Sequence, residues 1–287
     1  MLAARPKTLV AGILPVVVGT ALSVSLGVRF SASYMLLALT CGVLIQVATN
    51  YFNDAIDFTK GADTTQRLGP RRAAREGWLS ADALQRGAFA CLIAVFLLAL
   101  PLFAAFGLKL FLLALLCLVL AYAYTGGPIP LAYRGLGELF VITFFGFVAV
   151  GGSFFLQAKS LSPFVFVAGL QVGLLSTVLL AINNLRDVEE DRANSKWTLA
   201  ALFGKKFGRW EIMWLSCLPY ALGFFWVRNG NSWACYLPLM VLPVTTLLCK
   251  KIFQTEASQA YNAYLGVGAI QLVLFSILLS VGFIWIG

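Results

Sequence analysis

Nine long apolar runs take up most of this chain of 287 residues. Each run is close to the roughly 20 residues that carry an α-helix across a bilayer, and most connections are short, which favours antiparallel neighbours. With 60% hydrophobic and 11% charged residues, the chain is not a soluble enzyme, a disordered regulator or a DNA-binding module. We predict an all-α, polytopic membrane protein of about nine transmembrane helices in one bundle. The predicted spans are 9–28, 34–57, 83–105, 108–124, 136–157, 163–185, 210–228, 232–249 and 262–286.

Basic residues are distributed unevenly between the two sides of this bundle. With a cytoplasmic N-terminus, 17 of the 21 Lys and Arg residues fall on the cytoplasmic side, and Arg29, Lys109, Lys159 and Arg228 on the other. This is the positive-inside asymmetry, so the net charge of +9 indicates orientation and no nucleic-acid partner. Two long polar connections, 58–82 and 186–209, are expected to form cap loops on the cytoplasmic side.

All twelve acidic residues also fall on the cytoplasmic side, and two groups of them share a pattern. The first aspartate cluster (Asn53, Asp54 and Asp57) ends the second span, and the second (Asn183, Asp187 and Asp191) ends the sixth. Asn-x₃-Asp recurs at an offset of 130, and residues four apart share a helix face. We interpret this as a duplication within a single domain, 1–287, with halves of about 1–135 and 136–250 and a last helix at 262–286.

The residue types of these clusters favour a hard metal and a polyanion. The sequence contains no histidine, which excludes an imidazole base, and its six cysteines lie singly in apolar runs as small hydrophobic residues. Grouped carboxylate and amide oxygens are ligands that Mg²⁺ prefers. An excess of cations among aligned acids fits a metal-bridged diphosphate. The basic residues around the clusters are Lys60, Arg67, Arg71, Arg186, Arg192 and Lys196.

The motifs around both clusters resemble the two aspartate-rich motifs of the UbiA superfamily of intramembrane prenyltransferases. They read Asn53-Asp54-x₂-Asp57-x₃-Gly61-x-Asp63 and Asn183-Asn184-x-Arg186-Asp187-x₃-Asp191-Arg192. Further matching segments are Arg5-Pro6-Lys7-Thr8-Leu9, Arg67-x-Gly69-Pro70, Tyr124-Thr-Gly-Gly127-Pro128, Leu131-Ala-Tyr133-Arg134-Gly135-Leu-Gly137-Glu138 and Thr198-Leu199-Ala200. Within the superfamily, the chain is most similar to the branch that prenylates 1,4-dihydroxy-2-naphthoate. Segments typical of the hydroxybenzoate branch are absent from the sequence.

The resemblance implies a Mg²⁺-dependent enzyme that transfers a polyprenyl group from polyprenyl diphosphate to the naphthoate. The acceptor loses its carboxylate, and the product is demethylmenaquinone, a step of menaquinone biosynthesis. It also implies an enzyme of the bacterial inner membrane whose N-terminus and active site face the cytoplasm. Another aromatic acceptor, such as 4-hydroxybenzoate, is the alternative within the superfamily.

The resemblance also assigns roles to individual residues. The expected metal ligands are Asp57, Asp63, Asp187 and Asp191, with Asp63 replacing an acid that many relatives carry at position 61. The expected diphosphate ligands are Asn53, Asn183, Lys60, Arg67, Arg186 and Lys196. Trp197 occupies the position of the usual lysine of the second motif, and Lys196 precedes it.

Catalytic roles are expected for the aspartates at 57, 187 and 191 and for Asp54 and Tyr124. Asp54 lies about 100° around the helix from its neighbour Asn53, so it either supports the ligands or acts as base for the acceptor hydroxyl. Tyr124 either stabilises the allylic cation or belongs to the interfacial aromatic belt. Lys7 either binds the acceptor carboxylate or only marks the cytoplasmic side.

Two other classes of protein compete with this interpretation. A membrane transporter also combines a repeated bundle with polar sites, but it places them near mid-membrane. Here both clusters lie at one end of their spans, and the opposite half is almost free of polar groups. A CDP-alcohol phosphotransferase also uses Mg²⁺ and intramembrane aspartates, but its D-G-x₂-A-R run is absent from the sequence.

Overall fold

Helices make up all of the regular secondary structure in the residues that the structure describes, which are 2–61, 68–128 and 130–285 of a computed structural model. The α-helices are α1 (Pro6–Ser25), α2 (Ala32–Thr59), α3 (Ala81–Phe106), α4 (Leu108–Ala123), α5 (Gly137–Val141), α6 (Ala149–Ala158), α7 (Phe164–Arg186), α8 (Val188–Ala193), α9 (Leu199–Arg228), α10 (Trp233–Leu239), α11 (Leu242–Gln254) and α12 (Tyr261–Ile284). Short 3₁₀ turns span Leu2–Ala4 and Leu131–Tyr133. A π-helical segment, Ile142–Val148, joins α5 to α6.

Seven helices of the described chain are long and apolar enough to cross a membrane, with α5, the π-helical segment and α6 counted as one. The pair α10 and α11, bent by 48°, gives an eighth if it forms a single span. The predicted fourth span is α4, an apolar helix of only 16 residues. The prediction of an all-α membrane protein is therefore confirmed, whereas the count of nine spans stays a prediction.

The predicted cap loop 186–209 is partly helical. It contains α8 and the first turns of α9, which begins at Leu199 and not near residue 210. The Thr198 hydroxyl caps α9 by accepting a hydrogen bond of 3.2 Å from the Ala201 amide. Gly204, at φ 89°, bends the helix shortly afterwards. The charged residues that follow, including Lys205 and Lys206, therefore belong to a helix whose polarity looked like that of a loop.

Glycines allow the closest helix crossings of the bundle. A Cβ on Gly42 would lie 2.5 Å from the Gly12 carbonyl oxygen, where α1 crosses α2. A Cβ on Gly146 would lie 2.5 Å from the Gly169 carbonyl oxygen, where the π-helical segment meets α7. Small residues let helix backbones approach closely in a membrane, where van der Waals packing drives association. These crossings position the C-terminal ends of α2 and α7 around one space.

Candidate active site

A polar cavity of about 450 Å³ lies at the end of the bundle where α2 and α7 terminate. Asn53 and Asp57 of α2 line it, as do Asn183 of α7 and Asp187, the C-terminal capping residue of α7. The start of α1, the segment 70–72 and the α4–α5 connection complete the wall. The structure therefore brings both aspartate clusters to one space.

Asp57 is held from two sides. The Arg72 guanidinium donates to its Oδ2 at 2.8 Å, and the Tyr133 hydroxyl donates to its Oδ1 at 2.7 Å. Arg72 also donates to the Asn53 carbonyl at 2.8 Å, so the segment after α2 folds back over the helix end. Burial and the neighbouring Asp57 carboxylate raise the pKa of Tyr133, so the phenol keeps its proton and acts as the donor.

The second cluster is ordered by its own basic residues. Asp187 accepts two hydrogen bonds of 2.7 Å from Arg186, and Arg186 also donates to Asn262 Oδ1 at 2.7 Å. Although α7 ends here, the Asp191 amide bonds to the Asp187 carbonyl at 2.8 Å, which continues the helical pattern into α8. Asp191 itself is not among the residues that line the cavity.

Asp191 is buried and forms an ion pair with Lys196, whose Nζ lies 3.1 Å from its Oδ1. Burial raises the pKa of the Asp191 carboxyl, against the opposing effect of the Lys196 charge, and the Asp187 carboxylate raises it further. A cation that binds between two carboxylates reduces the repulsion between their charges. The second cluster therefore holds two interacting carboxylates, each beside its own cation.

Two lysines flank the ring of Tyr133. Lys60 Nζ lies 4.5 Å and Lys196 Nζ 6.0 Å from the ring centroid, both within cation–π range. Lys60 also donates to the Thr125 carbonyl at 3.1 Å and lies just behind the lining residues, whereas Lys196 lines the cavity. Each aspartate cluster therefore has a lysine beside it.

Asp54 faces away from the cavity. Its carboxylate is 1% exposed and accepts hydrogen bonds from the Ala73 and Ala74 amides at 2.9 and 3.2 Å. These bonds anchor the segment that delivers Arg72 to Asp57. Of the two roles expected for Asp54, support of the ligands agrees with this placement. The remaining residues predicted in this region, Asp63 and Arg67, lie outside the described residues.

The two asparagines stand where the polar cavity meets a second, apolar one. Asn53 Oδ1 accepts a hydrogen bond from the Thr125 hydroxyl, and Asn183 Nδ2 donates to the Leu179 carbonyl at 2.9 Å. Both asparagines line both cavities, together with Tyr124. Tyr124 is buried and packs on Phe140 at 5.1 Å between ring centroids. Tyr124 therefore lies inside the protein, at the junction of the two cavities.

The apolar cavity has a volume of about 340 Å³ and runs between the helices toward the other end of the bundle. Phe144 and Phe145 of the π-helical segment line its middle, and Leu102, Phe103 and Leu110 line its far end. A π-helical bulge often marks a functional site, because the extra residue redirects side chains. We call this space the tunnel. Its shape suits a long, flexible hydrocarbon.

Several residues of this site were not singled out from the sequence. Arg72 looked like one more cytoplasmic charge, and Tyr133 and Glu138 were visible only as parts of a family motif. Asn262, at the start of α12, joins three elements by accepting from Arg186, donating to the Leu68 carbonyl at 2.9 Å and accepting from Lys7 at its own carbonyl at 3.3 Å. No sequence signal distinguishes such a bridging asparagine.

The donor set fits Mg²⁺ only together with a substrate. Within the described ranges, no three His, Cys, Asp or Glu side chains lie close enough to hold a metal ion by themselves. Mg²⁺ is usually bound through one or two carboxylates plus substrate phosphates and water, and not by an all-protein cage. Asp57 and Asp187, which line the same cavity, supply that number of carboxylates. A diphosphate between them would complete the coordination.

Comparison with known proteins agrees with the geometry. The profile of the UbiA prenyltransferase family matches residues 12–275. The chain is 33% identical to the 1,4-dihydroxy-2-naphthoate octaprenyltransferase of Haemophilus influenzae, covering 97% of this chain and 93% of that protein. It is 31% identical to the protein of the same name from Bacillus subtilis, covering 97% and 89%.

Solved structures share the fold. A UbiA homolog from Aeropyrum pernix K1 superposes with a TM-score of 0.72 at 20% identity, covering 95% of this chain and 98% of that one. A UbiA homolog from Archaeoglobus fulgidus, solved with DMAPP and Mg²⁺ bound, gives a TM-score of 0.56 at 15% identity, covering 97% and 98%. With its apolar helices, its two aspartate clusters and a family match over nearly its whole length, the chain belongs to the UbiA prenyltransferase family and is a membrane-embedded polyprenyltransferase.

Proposed function

We propose that the protein transfers a polyprenyl group from polyprenyl diphosphate to 1,4-dihydroxy-2-naphthoate, with loss of CO₂, to give demethylmenaquinol, the reduced form of demethylmenaquinone. The observation that carries this proposal is the junction of the two cavities. A polar, aspartate-lined space adjoins the apolar tunnel, and Asn53, Asn183 and Tyr124 line both. A prenyl diphosphate has the same division between a charged head and a hydrocarbon tail.

The diphosphate head fits between the two aspartate clusters. Asp57 and Asp187 would hold Mg²⁺ with the diphosphate oxygens, and bound Mg²⁺ would neutralise the charge that builds on the leaving group. Arg186 and Lys196 line the same cavity, and Lys60 lies just behind it, so these cations would add to that neutralisation. The roles of Asn53, Asn183, Asp191, Asp63 and Arg67 as further ligands remain part of the proposal.

The reacting carbon would lie at the junction. With the head in the polar cavity and the tail in the tunnel, the first carbon of the prenyl chain comes next to Tyr124. The electron-rich face of an aromatic ring stabilises a cation. Tyr124 is buried, which also keeps water away from an allylic cation.

The naphthoate acceptor is the finer part of the proposal. It is supported by the names of relatives that are more than 30% identical, and by the basic residues Arg5 and Lys7, which form one side of the cavity. Lys7 lines that side, and its Nζ lies 3.3 Å from the Asn262 carbonyl. A carboxylate there would gain a charge-assisted hydrogen bond. We therefore assign Lys7 to the acceptor carboxylate.

We place this site on the cytoplasmic face of a bacterial inner membrane. The distribution of Lys and Arg supports the orientation, and the bacterial origin of the relatives supports the membrane. A transporter is disfavoured because the polar groups of the site lie at one end of the bundle. The far end of the tunnel is lined by leucine and phenylalanine and offers no polar exit.

The test is product formation by the purified protein in lipid nanodiscs. The assay supplies a polyprenyl diphosphate, Mg²⁺ and either 1,4-dihydroxy-2-naphthoate or 4-hydroxybenzoate, and mass spectrometry identifies the products. We expect a prenylated, decarboxylated naphthoquinol and no prenylated hydroxybenzoate. The reverse preference would move the protein to another branch of the family. No product from either acceptor would refute the proposal.

A further inference from the structure

Glu138, near the start of α5, is a cavity residue to which nothing above assigns a role. It lines the polar cavity, and its side chain is 6% exposed. Its Oε1 accepts a hydrogen bond of 2.7 Å from Asn184 Nδ2, whereas its buried Oε2 accepts none from the residues that the structure describes. A buried carboxylate oxygen without a donor is costly, so such a group calls for an explanation in function.

Glu138 also differs from the other carboxylates on the cavity wall. Asp57 is paired with Arg72 at 2.8 Å, and Asp187 with Arg186 at 2.7 Å. Among the described lining residues, Glu138 is the carboxylate that forms no ion pair. A carboxylate held by an arginine is a weak base, whereas one held only by a neutral amide remains able to accept a proton.

The position of Glu138 matches the point where the acceptor ring must lie. A Cβ on Gly137, its neighbour, would lie 3.5 Å from the Tyr124 hydroxyl, so the start of α5 abuts the junction of the cavities. The first carbon of the prenyl chain emerges at that junction in the proposed function. A ring attacking this carbon would lie in the polar cavity, on the wall of which Glu138 stands.

We propose that Glu138 is the proton acceptor for the hydroxyl of the aromatic acceptor. This rests on the proposed function and deepens it. As the C–O bond to the diphosphate breaks, its electron pair leaves with the diphosphate, and a ring carbon forms the new C–C bond. The hydroxyl next to that carbon becomes a carbonyl and gives its proton to Glu138. Loss of CO₂ from the same carbon returns its electron pair to the ring, and Glu138 returns the proton to the ring oxygen.

This assignment replaces one that the sequence left open. Asp54 was the alternative base, but its carboxylate is occupied by the Ala73 and Ala74 amides and does not line the cavity. The titratable groups that interact electrostatically with Glu138 are Tyr124, Asp191, Lys196 and, on α9, Glu211. Lys196 is the basic member of this set. Glu138 therefore interacts with both acidic and basic groups.

The test compares Glu138→Gln with Glu256→Gln in the nanodisc assay. Glutamine keeps an oxygen for Asn184 to donate to, so the fold is retained. We expect Glu138→Gln to lower kcat by about 100-fold or more, the usual contribution of a general base, with little change in either KM. Its remaining activity should rise with pH as the acceptor hydroxyl ionises in solution. Glu256→Gln, at an exposed carboxylate between α11 and α12 that does not line the cavity, should leave kcat and its pH profile as in the unaltered protein.

Three results would overturn the inference. The first is a kcat for Glu138→Gln within threefold of the unaltered protein. The second is a loss of kcat that high pH does not relieve. The third is a parallel loss of affinity for an unreactive prenyl thiodiphosphate analogue of the donor, whose C–S bond is not cleaved. Such a loss would indicate a structural role for Glu138. Failure of the unaltered protein to prenylate the naphthoate would instead refute the proposed function, so the two failures are distinguishable.

Discussion

Tyr133 donates its hydroxyl to Asp57 Oδ1 at 2.7 Å while its ring lies 4.5 Å from Lys60 Nζ. The Tyr133 side chain therefore orients the Asp57 carboxylate and holds the Lys60 ammonium group beside the first aspartate cluster. The Tyr133 carbonyl also accepts a hydrogen bond of 3.2 Å from the Trp197 amide, in the segment after the second cluster. The connection between α4 and α5 thus links the two halves of the site.

We expect Tyr133→Phe to weaken metal-dependent turnover. A hydrogen bond to a charged group contributes about 1.5–3 kcal/mol, so kcat/KM for the prenyl diphosphate should fall about 10- to 100-fold. Tyr133→Leu also removes the ring beside Lys60 and should lower kcat/KM further. Steady-state kinetics at several Mg²⁺ concentrations measure both effects. A Tyr133→Phe variant with unaltered kinetics would contradict a role for the hydroxyl.

Arg72→Met should destabilise the protein strongly. It leaves the Asp57 carboxylate buried without its arginine, and breaking such a pair costs about 3–5 kcal/mol. Thermal unfolding in detergent should show a large drop in Tm, and adding Asp57→Leu should restore most of it without restoring activity. Arg71→Met is the matched control, because that side chain is 77% exposed and its pair with Glu76 spans 3.8 Å. Equal Tm values for the two single variants would contradict the prediction.

Asp54→Asn and Asp54→Ala separate anchoring from catalysis. An amide oxygen still accepts from the Ala73 or Ala74 amide, so Asp54→Asn should keep most of its transferase activity. Asp54→Ala leaves both amides without this acceptor and should cost about 1–3 kcal/mol of stability. Activity and Tm measured side by side decide between the roles. An inactive Asp54→Asn with a normal Tm would return Asp54 to a role in the chemistry.

Removal of the metal, or of either cavity-lining aspartate, should abolish prenyl transfer. Chelation of Mg²⁺ should stop product formation reversibly, and Asp57→Ala and Asp187→Ala should be inactive at saturating Mg²⁺ while still inserting into the membrane. The reason is that only these two carboxylates would bind Mg²⁺ beside the diphosphate in the proposed site, so neither loss would be compensated. Product analysis by mass spectrometry is the measurement. Full turnover by either variant would rule out the proposed metal site.

The placement of the two aspartate clusters follows from helical spacing alone. Asn53 and Asp57 share a face of α2, and Asp187 keeps the helical bond to the Asn183 carbonyl even though α7 ends there. Gly61 also has a local reason, because its φ of 70° suits glycine better than an acid. Such features depend on neighbours within a few residues, which a sequence displays directly. The division into two duplicated halves stays a prediction.

What the sequence did not reveal depends on contacts between distant segments. Arg72 is one of several cytoplasmic cations, and only the fold brings it to Asp57. The role inferred for Glu138 depends on its contact with Asn184 and on its place near the junction of the cavities. The π-helical segment has the same apolar pattern as an ordinary span, so the sequence does not distinguish it. Tunnel-lining residues are especially hard to predict in a membrane protein, because uniformly apolar helices carry little periodicity to indicate which face lines a tunnel.

Gly152 of α6 offers a direct test of the tunnel. It lines the apolar cavity, and a Cβ built there meets nothing within 4 Å, so a larger side chain would project into open space. Gly152→Leu should leave turnover of a short geranyl donor nearly unchanged. Turnover of an octaprenyl donor should fall at least about fivefold, since overpacking costs about 1–3 kcal/mol. Gly151→Ala is the control, because its Cβ meets Val165 of α7 at 3.3 Å and not the tunnel, so it should not discriminate by chain length. If Gly152→Leu affects both donors equally, the tail does not pass this residue.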